Sequence, residues 1–154
     1  MAAAIVMKQA QVEDAREILD LQKLAYQSEA EIYHDDTIPP LTQTLEEITA
    51  DFRNQVFIKA SVDGRIVGSV RGQLKQGTCS IGRLIVHPDF QNQGIGIRLM
   101  DEVEKYFPEA GRFELFTGHR SERNKYLYRK LGYQVFRRQP VNSDLTLLYL
   151  EKRR

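Results

Sequence analysis

The run from Gly82 to Gly96, Gly-Arg-Leu-Ile-Val-His-Pro-Asp-Phe-Gln-Asn-Gln-Gly-Ile-Gly, is the stretch whose residue types and spacing point most directly to chemistry. A branched apolar run ends at Pro88, a polar turn with two glycines follows, and an amphipathic pattern begins at once. Glycine lets a backbone approach a ligand closely, and the free N–H groups at a helix start, at the positive end of its dipole, favour phosphate oxygens. These features suit a pyrophosphate cradle. Two other phosphate loops lack their parts here. A nucleoside-triphosphate loop needs Gly-Lys-Ser or Gly-Lys-Thr, whereas Gly96 is followed by Ile97 and Arg98. A dinucleotide fingerprint needs a third glycine where Leu99 stands and leaves no room for His87 to Gln93. Glu114, at a tempting distance downstream, falls inside a strand pattern. On spacing alone, a pair of capping glycines at an ordinary strand-to-helix turn competes with the cradle.

A second run bears on that choice. Gln91-Asn92-Gln93-Gly94-Ile95-Gly96, preceded by Val86-His87-Pro88 and followed by Leu99, matches Q/R-x-x-G-x-G/A, and Asn124-Lys125-Tyr126-Leu127-Tyr128-Arg129-Lys130-Leu131-Gly132-Tyr133 matches N-x-x-x-Y-x-K-x-G-[FY]. In both runs, in this order, the chain resembles the GCN5-related N-acetyltransferase (GNAT) family. The resemblance extends over nearly the whole chain and is least diagnostic before Val56. It implies an α/β fold with a mixed, largely antiparallel central sheet flanked by helices, and a single N-acetyltransferase domain over residues 1–154. It also implies acetyl-coenzyme A as cosubstrate, with no metal. Carried over residue by residue, it implies that backbone groups of Leu84, Ile85 and Val86 meet the pantetheine arm. The amides of Gln91, Asn92, Gln93, Gly94, Ile95 and Gly96 hold the pyrophosphate, Asn124 touches the cofactor arm, and Tyr128 protonates the departing thiolate.

The implied reaction sets its own requirements. A primary amine attacks the thioester carbonyl in a ternary complex, negative charge develops on the carbonyl oxygen, and coenzyme A leaves as a thiolate. The conjugate acid of that thiolate has a pKa of about 8.5 by analogy with cysteine. A backbone N–H at a distorted end of the Thr78 to Val86 strand would stabilise the oxyanion, and a phenol beside the sulfur would supply the proton. Direct transfer needs no protein nucleophile, so Cys79 is expected to be a buried strand residue. Alkylammonium groups titrate at about 10.4, so a proton must leave before attack. In many similar enzymes an acidic residue on the central strand takes it, but Thr78 to Arg83 contains no Asp or Glu. His119, at the end of the following strand, is the candidate substitute because imidazole titrates near neutrality, the alternative being a polar loop residue beside a helix start. His87 is expected to be structural. A non-catalytic acyl-coenzyme A binding or sensing domain is the alternative from another class: it would keep Gln91 to Gly96 but have no use for Tyr128. An enzyme using a longer acyl chain is a third.

The elements that must position these residues follow from periodicity. Ala4 to Lys8 reads as a strand, and Val12 to Tyr26 as an amphipathic helix through Ala15, Ile18, Leu21 and Ala25. Ser28 to Leu41, interrupted by Pro39-Pro40, reads as a loop with helical turns. Thr44-Leu45-Glu46-Glu47 is a capping box opening a second helix. Val56 to Val62, Arg65 to Leu74 and Thr78 to Val86 form a meander turned by Asp63-Gly64 and Gln76-Gly77. Gly94 to Phe107 is a helix, Arg112 to Thr117 a strand, and Ser121 to Leu131 a helix with Ser121 as its N-cap and Gly132 as its C-terminal cap. Gln134 to Arg137 and Leu145 to Leu150 are closing strands.

Composition limits the partners. With 154 residues, 42% hydrophobic and 28% charged, the chain suits one globular core. Lys and Arg total 22 against 21 acids, which gives no electrostatic reason for a nucleic-acid or membrane-surface partner. The apolar opening from Met1 to Met7 is too short for a membrane span. A lone cysteine suits a reducing, cytoplasmic compartment. A homodimer is compatible with the sequence. The acceptor is an amine of a small molecule or peptide. Glu29, Glu31, Asp35 and Asp36, in a segment without Lys or Arg, raise the expectation of a cationic one.

Overall fold

The computed structural model describes residues 4–154, and its framework is one seven-stranded sheet in the order β1-β2-β3-β4-β5-β7-β6. The strands are β1 (Ile5–Gln9), β2 (Val56–Val62), β3 (Arg65–Lys75), β4 (Thr78–Val86), β5 (Arg112–Gly118), β6 (Gln134–Pro140) and β7 (Thr146–Arg153). All neighbours are antiparallel except β4 and β5. Both hairpin turns of the meander carry positive φ at two successive residues, Asp63 and Gly64 at 50° and 80°, Gln76 and Gly77 at 52° and 80°. That is the turn whose twist matches paired strands.

The helices lie on both faces. On one, α1 (Ala15–Ala25) and α4 (Leu45–Asp51) bury Ile18, Leu19 and Ile48 against Phe57, Ile66 and Ile85 of the sheet. On the other, α5 (Ile95–Lys105) buries Ile95, Leu99, Met100 and Val103 against Ile58, Ala60, Val67 and Val70. Alternation along β2 divides Phe57 from Ile58 and so feeds both layers. The expected capping box is present: the Glu47 amide donates to Thr44 Oγ1 at 3.1 Å, and the Thr44 amide donates to Glu47 Oε1 at 2.9 Å.

Three local expectations change. The first helix opens with a 3-10 turn at Val12–Asp14, and its α-helical part begins at Ala15. Ser28 to Leu41 is more helical than its composition suggests, containing α2 (Gln27–Tyr33) and α3 (Pro39–Thr42). α2 has only two buried residues, Ala30 and Tyr33, too few to display a period. Pro39 and Pro40 open α3 rather than interrupt it, because the first turn has no use for their missing N–H groups. Ser121 precedes α6 (Glu122–Lys130) but makes no side-chain cap, because its hydroxyl is engaged elsewhere. Ala4 falls just outside β1, and among the described residues no helix is long and apolar enough to cross a membrane.

The irregularity that matters lies in β4. Ser69 pairs with Ile85 and Arg71 with Gly82, so three steps along β4 match two along β3, and Arg83 sits in the bulge at φ 51°. β4 and β5 pair only over Thr78–Ser80 and Arg112–Glu114. Beyond that, Arg83–Val86 and Leu115–Gly118 have no partner on their facing edges.

Close packing under α5 is exposed to test at Gly72, where an added Cβ would lie 2.8 Å from Phe107 Cε2 and 3.2 Å from both Cys79 Sγ and Val103 Cγ2. Backbone and ring must shift to admit it, at a cost of about 1–3 kcal/mol. Gly72→Ala should therefore lower the midpoint of thermal unfolding by several degrees, at about 2–4 °C per kcal/mol for a chain of this size.

Candidate functional site

A cleft of about 1010 Å³ occupies the region where β4 and β5 part. One wall is the end of β4 and the turn into α5, the other is the start of α6, and the α1–α2 junction covers the inner end. Leu84, Ile85, Val86, Gln91, Asn92, Gly94, Ile95, Gly96 and Asn124 all line it, whereas Gln93, Tyr128 and His119 are not among the lining residues. The strand, the glycine turn and the head of α6 thus share one cavity.

The turn is built to expose its backbone. Asn92 and Gly94 take positive φ, 64° and 80°, and Gly94 is the residue from which α5 starts. Gly96 lies one turn in, and a Cβ there would stand 3.4 Å from Leu127 and 4.0 Å from Leu84, two residues that line the cleft. Opposite, Arg123 donates to Gln91 Oε1 and reaches Asn92 Oδ1 at 3.5 Å, so α6 and the turn are bridged across the mouth. Asn124 donates to Thr117 Oγ1 at 3.3 Å, which fixes the head of α6 to β5.

Tyr128 is buried, with 6% of its surface exposed, and belongs to the α5-side core, its ring 6.1 Å from that of Tyr133. Burial raises its pKa above the ordinary tyrosine value, and Tyr26 and Glu29 raise it further by their proximity. Both of these neighbours line the cleft. Among the described residues no side-chain polar atom is both occluded and unpaired.

His119 faces another way. Its Nδ1 accepts a hydrogen bond from the Thr146 amide at 2.9 Å, and its own amide donates to the Thr146 carbonyl at 2.9 Å. An amide can only donate, so this lone pair is occupied and the ring proton belongs on Nε2. The residue ties the end of β5 to β7. His87 is structural in the same sense, with Nδ1 accepting from the Asp89 amide at 3.0 Å and Nε2 beside the Arg65 guanidinium at 2.9 Å. Cys79 is buried and has its thiol pushed up to about 12 by desolvation, which leaves no thiolate for acyl transfer at neutral pH. His34 closes α2 at φ 52°, outside the cleft.

Two polar clusters that periodicity does not reveal hold the inner end. Arg120's amide donates to Tyr33 Oη at 3.0 Å, Tyr33 Oη lies 2.7 Å from Ser121 Oγ, and Ser121 donates to Glu29 Oε2 at 2.6 Å. Since Ser121 spends its proton on Glu29, Tyr33 must donate to Ser121, and the three donors run in one direction onto the carboxylate. Gly118 makes room: a Cβ there would sit 2.0 Å from the Tyr33 oxygen. In the second cluster Arg71, only 5% exposed, donates to Asp51 Oδ2 at 2.6 Å and Gln22 Oε1 at 2.8 Å, with its guanidinium 4.5 Å from the Phe57 ring centre. Burial and the neighbouring Arg83 bring its pKa down to about 10. One sequence signal did exist. Gln22 stands on the buried stripe of α1 with Ile18 and Leu19, where a polar residue requires a partner.

The acidic segment divides. Glu29 and Glu31 line the cleft, whereas Asp35 and Asp36 line only an adjoining depression that shares Glu31 with it, Asp35 turned onto the amide and hydroxyl of Thr37 at 2.8 and 2.5 Å. The helical course of α2 causes this, because it carries the two aspartates past the cleft.

Residues 15–133 match the model of the acetyltransferase (GNAT) family. Among curated proteins, UPF0157 protein YqkA of Bacillus subtilis is 32% identical over 152 residues, covering 90% of this chain and 44% of that protein. Acetyltransferase ECA0875 of Pectobacterium atrosepticum is 35% identical over 82 residues, 52% of this chain and 58% of that one. The chain thus spans about half the length of these curated relatives. Among solved structures, the PaiA N-acetyltransferase of Thermoplasma acidophilum, in complex with coenzyme A, superposes with a TM-score of 0.84 at 18% identity over 98% of this chain and 99% of that one. For yncA of Salmonella typhimurium, a putative acetyltransferase with its cofactor acetyl-CoA, the values are 0.77, 16%, 98% and 94%. At these identities the superpositions establish the fold, and together with the family match over most of its length they show that this chain belongs to the GNAT acetyltransferase family.

Proposed function

We propose that the protein binds acetyl-coenzyme A in the cleft between β4 and β5 and transfers its acetyl group to a primary amine entering from the α1–α2 side. The observation that carries this reading is the coincidence of three features in one cavity. These are an exposed strand edge at Leu84–Val86, an N–H-rich turn ending on a helix start at its mouth, and Tyr26 and Glu29 in its lining, both close enough to the buried Tyr128 phenol to act on it. A pantetheine arm is an extended diamide and suits an unpaired strand edge, while a pyrophosphate suits the turn. The solved neighbours that hold coenzyme A or acetyl-CoA add support by their fold. Cys79, buried and lone, fits a cytoplasmic setting.

In this reading the amine nitrogen bonds to the acetyl carbon as the C–S bond breaks. Tyr128 gives its proton to the sulfur. The proton lost by the amine passes to Glu29, which the chain from Tyr33 and Ser121 holds at the cleft, and from that side it can return to the phenolate. His119, committed to Thr146, holds β5 in place. The raised pKa of Tyr128 has a defined consequence: the phenol stays protonated through neutral pH and loses its proton only above the ordinary value of about 10.

Two results would check this. Gly96→Val adds a branched side chain where the Cβ alone stands 3.4 Å from Leu127 and 4.0 Å from Leu84, and valine is no worse than glycine inside a helix. Thermal stability should change little while calorimetric affinity for acetyl-coenzyme A falls about tenfold or more; Gly96→Ala, the residue that the motif also admits, should keep its affinity. Gly94 is a poorer probe, because its φ of 80° would strain any other residue. Tyr128→Phe should lower kcat about a hundredfold with acetyl-coenzyme A affinity nearly preserved. The parent's kcat should show no descending limb below pH 10 from this group, and full turnover by Tyr128→Phe with chemistry rate-limiting would remove the phenol from the reaction.

A further inference from the structure

We propose that Tyr33 is a positioning residue which, acting through Ser121, holds the Glu29 carboxylate with Oε2 engaged and Oε1 left for the acceptor ammonium. This rests on the acetyl-transfer reading and adds to it the group that orients its proton acceptor.

Tyr33 is buried at the end of α2 and is not among the residues lining the cleft, whereas Ser121 and Glu29 both are. Its hydroxyl is fixed from three directions. The ring lies over Gly118, where an added Cβ would overlap the phenol oxygen. The Arg120 amide donates to that oxygen at 3.0 Å, and the phenol proton goes to Ser121 Oγ at 2.7 Å. Burial raises the pKa of Tyr33, which keeps that proton in place at neutral pH. The backbone that supplies the Arg120 amide is itself held, because His119, one residue earlier, spends both its amide and its Nδ1 on Thr146.

Ser121 needs such a constraint. A serine directly before a helix ordinarily turns its oxygen onto the amides of the first turn. α6 goes without that cap, and the hydroxyl donates to Glu29 Oε2 at 2.6 Å instead. The two roles compete for one side chain. By donating to Oγ, Tyr33 competes with the α6 amides for the serine oxygen and leaves its proton to the carboxylate, so the chain of donors runs one way. Glu29 gains a single arrangement from it. Oε2 is tied, and Oε1 accepts no hydrogen bond among the described residues. A glutamate free to rotate in the cleft would meet an incoming ammonium only part of the time, and misplacement of a reacting group lowers the rate directly.

The test is a double-mutant cycle supported by a crystal structure. kcat is measured with acetyl-coenzyme A and the best of three probe amines, benzylamine, putrescine and leucinamide, and acetyl-coenzyme A affinity by calorimetry. Tyr33→Phe keeps the ring and Ser121→Ala keeps the backbone. Each should lower kcat about tenfold with affinity changed less than about twofold, while Glu29→Gln lowers kcat about a hundredfold. Added to Glu29→Gln, neither should lower kcat further, because the group they orient is gone. A purely structural part for Tyr33 would cost the same factor in both backgrounds. In crystals of Tyr33→Phe grown with coenzyme A, Ser121 should turn onto the amides of α6, with Glu29 Oε2 beyond about 3.5 Å from its oxygen. The positioning is overturned by unchanged kcat in Tyr33→Phe where Glu29→Gln is slow, or by equal losses with and without the Glu29 carboxylate. A Ser121–Glu29 bond intact in the Tyr33→Phe crystal overturns it as well. If Glu29→Gln keeps full turnover, or no probe amine is acetylated, the acetyl-transfer reading fails instead, and release of the carboxylate in the crystal still upholds Tyr33 as the residue that orients it.

Discussion

Neighbouring parallel strands in a sheet ordinarily stay bonded along their common length, since every backbone N–H and C=O removed from water needs a partner. β4 and β5 stop after Ser80 and Glu114. The extra residue in β4 causes the break. It turns Arg83–Val86 away from β5 while leaving Ile85 and Val86 paired to β3, so the sheet opens in its middle without falling into halves. The cleft, the unpaired edge that lines it and the route from one face of the sheet to the other all follow from that one insertion.

A gap in the middle of a sheet would close if the surrounding layers allowed it. On the β5 side, Tyr33 fits over Gly118 and is bonded to Arg120 and Ser121, so α2 wedges the start of α6 away from β4. On the β4 side, Arg71, Gln22, Gln43 and Asp51 bind α1, α4 and the chain between them to β3. Both supports are polar and directional. Apolar packing alone would fix distances between layers but leave the residues lining the cleft free to settle inward. The first support also involves Glu29, which lines the cleft, so holding the cleft open and placing that carboxylate are the same set of bonds.

Much of this was legible in the sequence, for identifiable reasons. The meander, the glycine turn and the helix after it are local: Asp63-Gly64, Gln76-Gly77 and Gly94 fix backbone angles by residue type, and the apolar stripe of α5 repeats long enough to display its period. The family motifs place nine of the twelve expected site residues on one cavity. What escaped depends on contacts distant in sequence. Nothing within residues 27–33 shows that Tyr33 will meet Ser121, 88 positions away. A distorted end of the Thr78 to Val86 strand is expected, but Gly82 would be the natural residue to carry the strained angle, and the structure puts it on Arg83 instead. His119 looked available because its engagement is with Thr146, 27 positions further on. The acidic residues were read as one patch because a loop was assumed, and the helical turn of α2 and the chain beyond it is what separates Glu29 from Asp35 and Asp36.

The placement of the bulge itself carries information. Gly82 is adjacent, with open space where its Cβ would be, and a bulge centred there would avoid the cost of about 1 kcal/mol or more of holding a long side chain at positive φ. The strained angle falls on Arg83 instead. Such a conformation persists only where the surroundings over-determine it, and the bond from its guanidinium to Gln43, itself held by Gln22 and Asp51, is the constraint that does so. A bulge shifted by one residue would swing the guanidinium off Gln43 and leave the bend in the strand without a positive charge beside it. The same strained residue therefore opens the sheet and ties the bend to the polar cluster under α1 and α4.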